Sequence, residues 1–321
     1  MNFIVRRVIT YLIVLAGVVN IDFFLPRIAP GNATDILISN YVNPSQAQQL
    51  AAQRLGLNVS LAVQYGNYLK GIFLSWPPKF GVSYQYFPQS VDSLIAGRIW
   101  WTLGLIAASL FLAVAMAYGL AMLSSMRRGG KAEMASTYTS IFLRATPVYW
   151  TGLFLIWAFG VSLHWFPQFG KVTPLLTGTD YIGSVIWHGV LPVITLASFL
   201  LGENYLILRG SIQEVLKSDY VVSAHVRGLR KSLVARAYVL RNSLLPLVSV
   251  LSFSLAGLIS GAVLIEAVFG YAGLGDLLVD GIFYYDYPVV EGTLFVLTVI
   301  VIIGAIIGDV VLIKLDPRLR R

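Results

Sequence analysis

Six runs of mostly apolar residues, about 8–26, 100–123, 138–160, 184–208, 244–268 and 292–315, recur along this chain of 321 residues. Each is near the ~20 residues that a helix needs to cross ~30 Å of hydrocarbon at about 1.5 Å per residue. In that medium backbone amides find no water, so a spanning segment of this length must satisfy them internally, as a helix does. Composition agrees: 57% of residues are hydrophobic, only 12% are charged, and the mean hydropathy is +0.76. The expected fold is therefore an all-α membrane protein of six spans, read as one domain over residues 1–321. A cleavable signal peptide is the alternative for the first run, but Asp22 and bulky residues stand where small residues would be needed.

Basic residues set the expected orientation. With the N-terminus inside, sixteen of the 23 Lys and Arg fall in inner segments, among them Arg6, Arg7, Arg127, Arg128, Arg227, Arg230 and Arg318. Only Arg27, Arg54, Lys70, Lys79, Arg98 and Lys171 fall outside. Both termini are then cytoplasmic in the cell membrane. The net charge of +8 follows this topology, so it does not point to nucleic acid. The last outer segment carries Asp276, Asp280, Asp286 and Glu291. A long outer loop, about 27–99, separates the first two spans; its PSQAQQLAAQRLGL stretch reads as helical, and Tyr65 to Pro88 as an irregular lid. It also holds two glycosylation sequons, at Asn32 and Asn58.

Enzyme chemistry finds little support. The chain has no cysteine, its three histidines are widely spaced, and it lacks zinc-protease, nucleophile-elbow and phosphate-loop motifs. No cofactor or metal is expected in this chain, and ATP-driven work would need ATP bound on another chain. Asp22, Glu266 and Asp309 lie within spans, where a central charge costs ~2.5–3.5 kcal/mol, so they either line a polar path or pair structurally. GLISG and GAIIG, at Gly257 and Gly304, read as helix-packing patterns.

The cytoplasmic segment of about 209–243 is more specific. Ser218 or Asp219 can cap a short helix running to about Arg227, Gly228 supplies a left-handed stop, and a second basic helix runs from Lys231 to Asn242. Pro246 then opens the next span. An amphipathic helix lying on anionic headgroups is the bland alternative.

Asp219-Tyr220, Gly228 and, eighteen positions later, Pro246 after Leu245 resemble the coupling segment of the dipeptide/oligopeptide/nickel class of ABC importer permeases. Arg6-Arg7, Arg27-Ile28-Ala29-Pro30-Gly31, Arg54-Leu55-Gly56-Leu57, Pro147-Val148-Tyr149-Trp150, Gly273-Leu274-Gly275, Asp286-Tyr287-Pro288 and Asp316-Pro317-Arg318 follow the first, B-type subunit of that class in order. Departures are Val222 for a favoured Glu, Trp100 and Ala272 for prolines, and Arg144 and Glu203 at uncharged positions.

The resemblance implies a type I importer permease with six membrane helices. Its coupling residues would be Asp219, Tyr220, Ser223, Ala224, Gly228 and Leu229. Implied partners are a second homologous permease, two cytoplasmic ATPases carrying ATP and Mg, an extracytoplasmic substrate-binding protein and membrane lipid. Peptides, oligosaccharides or nickel would be the cargo. The rival readings are an ion-coupled secondary transporter using Asp22, Glu266 or Asp309 as proton carriers, and a membrane-embedded enzyme. Inverted repeats or broken helices, which the former predicts, are not evident in the sequence. Arg144 and Glu203, ~10 and ~8 Å deep on consecutive spans, are expected to form an ion pair that offsets their desolvation.

Overall fold

Every long apolar run folds as helix, because in each the backbone must bond to itself. The computed structural model describes residues 3–30, 58–126 and 130–315. Four helices are long and apolar enough to cross a membrane, and up to six spans result when each of two bent helix pairs is counted as one. The chain divides into two compact units, Met1–Thr102 with Ala272–Ile302, and Leu103–Tyr271 with Ile303–Arg321.

The first unit contains α1 (Phe3–Ile28), α2 (Leu61–Phe73), the start of α3 (Val91–Met126), α10 (Leu274–Phe283) and the start of α11 (Tyr287–Leu315). Its core joins Val19 and Phe23 of α1 to Tyr68 and Ile72 of α2 and Phe295 of α11. The second unit contains the rest of α3 and α11, with α4 (Lys131–Ala145), α5 (Val148–Leu155), α6 (Gly178–Val215), α7 (Asp219–Val226), α8 (Lys231–Val234) and α9 (Arg241–Phe269). Here Ala117, Ala121, Leu201, Tyr205, Leu208 and Ile212 form the core beneath α7.

The third run is broken, contrary to the unbroken helix read from its hydropathy. α4 and the segment from Val148 to Ser162 meet at 104°. Pro147 is the cause. The residue before a proline is pushed out of the helical region, and Thr146 has φ −83 and ψ 127. Its amide and hydroxyl both donate to Phe142 O, at 3.0 and 2.9 Å, closing α4, and α5 starts directly after the proline. α5 then widens into a π turn over Ile156–Ser162. A second π turn, Ala235–Leu240, carries α8 into α9 without interruption. Pro246 therefore falls inside α9 and does not open it.

Among the described residues Arg144 and Glu203 form no ion pair. α4 and α6 do pack together, but through Gly202. A β-carbon at that position would lie 2.4 Å from Ser140 O and 3.0 Å from Arg144 N, so the two backbones meet there. Glu203, turned about 100° round the helix from that contact, is half-buried, and the Arg144 side chain is exposed. The charge pair that ties these helices lies two turns on. Arg209 donates from Nη2 and Nε to Glu133 Oε1, at 2.6 and 3.1 Å, and Gln213 Nε2 donates to the same oxygen at 3.2 Å. Nearby, Tyr205 donates to Ser124 Oγ at 3.1 Å.

The crossing at Gly202 predicts that Gly202→Val lowers the stability of the purified chain by about 1–3 kcal/mol or more, because a packed backbone cannot yield. Gly104→Ala, where a β-carbon meets nothing within 4 Å, should leave the thermal midpoint unchanged or raised. Equal midpoints for the valine variant and the parent would contradict the crossing.

Candidate functional site

α7 is two turns long, and its sequence DYVVSAHV sorts into two faces. Val221 and Ala224, three apart, point into the core of the second unit with Leu208, Ile212, Val234 and Val239. The opposite face presents Val222, 51% exposed, and Val226, 82% exposed, with Asp219, Ser223 and Arg227 exposed around them. Tyr220 stacks on Tyr238 with ring centroids 6.5 Å apart, which fixes α7 against the chain that follows it.

The stop of α7 follows from Gly228, whose φ is +74 in open space. Its amide donates to His225 O at 3.0 Å and the Leu229 amide donates to Ala224 O at 3.3 Å. Those two bonds are the paired closure of a left-handed C-cap, and half-buried Leu229 packs on the same core as Ala224, completing it. The start of α7 differs from expectation. Ser218 occupies the cap position, yet its hydroxyl donates back to Val215 O at 2.5 Å, and neither side chain caps the helix.

The six coupling positions read from the sequence thus separate. Asp219, Tyr220 and Ser223 are exposed, and Gly228 with Leu229 builds the turn. Ala224, 3% exposed, cannot be reached by another chain; it seats the helix. Val222 and Val226 were missed, although their spacing of four opposite Val221 and Ala224 is visible in the sequence. Behind α7 lies a cavity of about 230 Å³, lined by Met122, Ser125, Ile212, His225, Ala235 and Val239. The wide π turn contributes the last two.

The first unit gathers charge. Each acid of the 276–291 segment takes a definite partner there. Arg27 pairs with Glu291 and also donates to Gln64 Oε1 at 3.4 Å, with its guanidinium 3.6 Å over the Phe23 ring. Arg98 Nη1 meets Asp276 Oδ2 at 2.9 Å, and the Tyr86 hydroxyl donates to Asp280 Oδ2 at 2.8 Å. Burial and that bond push the Tyr86 phenol above its ordinary pKa, so it stays a donor. Asp286 Oδ2 accepts from Ser83 Oγ and, at 3.0 Å, from the Gln85 amide, while its Oδ1 accepts from the Val289 amide in the first turn of α11.

Asp22 is buried in the same unit, and its Oδ2 has no hydrogen-bond partner among the described residues. Glu266, fully buried, and Asp309, half-buried, belong to the second unit. Asn58 is exposed in a turn; Asn32 and the PSQAQQLAAQRLGL stretch lie outside the described residues. The expected irregular lid contains a helix instead, since α2 begins at Leu61 and includes Tyr65.

Residues 102–321 match the family described as the binding-protein-dependent transport system inner membrane component, and residues 1–106 match its N-terminal membrane component. The chain is similar to the oligopeptide transport system permease protein AppB of Bacillus subtilis, 31% identical over 99% of this chain and 98% of that protein. It is 30% identical to the di/tripeptide transport system permease protein DppB of Pseudomonas aeruginosa, over 100% of this chain and 99% of the relative. Against the dipeptide transport system permease protein DppB of Escherichia coli it is 28% identical, over 100% and 99%. With spans, break and the short helix α7 in place, the chain belongs to the inner membrane component family of binding-protein-dependent transport systems.

Proposed function

We propose that this chain is the B-type permease subunit of an ATP-driven importer of short peptides, acting as one membrane domain with an outer loop at about 27–99 and a coupling segment at about 209–243. The observation that carries this reading is the outward face of α7. Val222 and Val226 stand exposed on a helix whose other face is locked into the core, which leaves an apolar pair, held rigidly, for a protein partner to cover. The partner chemistry that fits is a cytoplasmic ATPase with an apolar groove. Two such subunits with ATP and Mg, a second permease and an extracytoplasmic binding protein complete the assembly, with both termini of this chain inside the cell. The relatives' names support peptides as cargo over oligosaccharides or nickel.

The mechanism is alternating access. ATP closes the ATPase pair, α7 moves with it, and the core beneath α7 carries that motion into α3 and α6. A bound state shifts the equilibrium only by its differential affinity for the two conformations, so the contacts of Val222 and Val226 must differ between them. Asp22, Glu266 and Asp309 remain proposals for polar groups of the path. The ion-coupled alternative is not favoured by membership of a binding-protein-dependent family.

Substitutions on the two faces of α7 have opposite signatures. Val226→Asp should strip the ATPase subunits from the purified complex and lower uptake about tenfold or more, a loss of ~1.4 kcal/mol in coupling, while the thermal midpoint of the chain stays put. Ala224→Leu should do the reverse and cost about 1–3 kcal/mol of stability by overpacking. Full uptake with retained ATPase in the Val226→Asp variant would sink the docking role. Gly228→Val forces a β-branched residue to positive φ at about 1–2 kcal/mol, whereas Gly228→Asn tolerates it better; uptake is expected to fall in the order glycine, asparagine, valine. Indistinguishable uptake across the three would show that the turn is dispensable.

A further inference from the structure

Three helices of the first unit share one register. Gln64, near the start of α2, receives the Arg27 bond beside Glu291. The next residue, Tyr65, donates from its OH to Asn20 Oδ1 at 2.8 Å, two turns inward of Arg27 on α1, and its ring lies 5.0 Å from that of Phe23. Ile72, eight residues past Gln64, is buried in the core of Val19, Phe23 and Phe295. Val19 lies eight residues inside Arg27, and Phe295 four inside Glu291, so both are ~6–12 Å further along the spans at 1.5 Å per residue. α2 thus runs antiparallel to the last turns of α1, inward from Arg27. The chain returns with Lys79 N donating to Gly71 O at 3.0 Å, the Phe80 ring tilted at 52° to that of Phe295 with centroids 5.6 Å apart, and the Phe80 amide on Asp92 at the start of α3.

The tip of this hairpin is apolar and uncovered: Phe73 is 60% exposed, Leu74 80% and Trp76 94%. By the register above it follows Ile72, which packs with Val19, so it lies within the length of the span Arg6–Ile28, which itself exposes Ile21, Phe24 and Leu25. From Asn58 to Val91 the charges are Lys70 and Lys79, with no acid. Both lysines are exposed and flank the tip, within reach of anionic headgroups along their flexible stems.

We propose that α2 and its return form a re-entrant hairpin whose tip, Phe73 to Trp76, lies in the hydrocarbon of the leaflet at the Arg27 end of α1 and contacts lipid. The inference rests on the membrane placement of α1 but not on which side the termini face. Lipid is the occupant because depth, apolar exposure and positive flanks all match it, whereas a water-filled lid would leave these side chains against solvent.

The chain has no cysteine, so single labels are unambiguous. Leu74→Cys and Trp76→Cys, each nitroxide-labelled, are placed in nanodiscs of phosphatidylcholine and phosphatidylglycerol, with the full chain alone and with its co-expressed partners. Collisions with oxygen and with a polar nickel chelate are measured, with Asn58→Cys and Ile13→Cys as references. The hairpin predicts an oxygen-to-nickel ratio at both tip sites about tenfold above Asn58 and close to Ile13, since the polar chelate is excluded from hydrocarbon. Tip values equal to Asn58, with Ile13 lipid-like, would overturn the hairpin and leave the span intact. Tip labels hidden from both reagents only when partners are present would overturn it in favour of a protein contact. An Ile13 label reading as aqueous would instead contradict the membrane placement of α1.

Discussion

Val221 and Ala224 hold α7 to the membrane bundle, and every mechanical statement about this protein depends on that seat. Both side chains are small and almost fully buried, and they enter the same cluster as Ala117 and Ala121 of α3 and Tyr205, Leu208 and Ile212 of α6. Interiors packed to this degree transmit displacement because they have little volume to absorb it. The cavity on the α7 side is the exception, and it borders the π turn where the backbone is already wide. A force applied at Val222 and Val226 therefore reaches α3 and α6 through a packed contact, while the turn at Gly228 keeps α7 from merging with the basic helix after it.

Charge plays a different part in each unit. In the second unit Arg209 and Gln213 converge on one carboxylate oxygen of Glu133, tying the start of α4, where the broken run begins, to the last turns of α6. In the first unit the acids of the 276–291 segment are each bonded to a residue between Arg27 and Arg98. Desolvated carboxylates are costly unless paired and hydrogen-bonded, so these contacts select one arrangement of α1, the start of α3, α10 and the start of α11.

Much of this was legible in the sequence, for physical reasons that also mark the limits. Runs of apolar residues announce spans because length and hydropathy are local properties, and Gly228 announces a turn because no other residue adopts its φ cheaply. The break at Pro147 was equally local, but the apolar residues on both sides masked it. Arg144 and Glu203 failed as a pair because depth along two helices says nothing about rotation; Gly202 set that rotation, and Glu133 with Arg209 took the role. Spacing alone sorts Val221 with Ala224 and Val222 with Val226, but nothing local says which of the two apolar faces is buried. α2 went unrecognised because Gly66, Gly71 and its tyrosines mimic a loop; only the partners Asn20, Phe23 and Phe295, distant in sequence, reveal it.

The most direct test of the central claim is proximity of α7 to the ATPase. A photoreactive benzophenone on Val226→Cys, in the otherwise cysteine-free chain, is irradiated within the assembled transporter, without nucleotide and with ATP trapped by vanadate. The account predicts crosslinks to the ATPase subunit whose yield or attachment site changes with nucleotide, and none from a label at Ser184, which is half-buried beside Thr173. Crosslinks to lipid alone, in both nucleotide states, would contradict it and return α7 to a helix lying on the membrane surface.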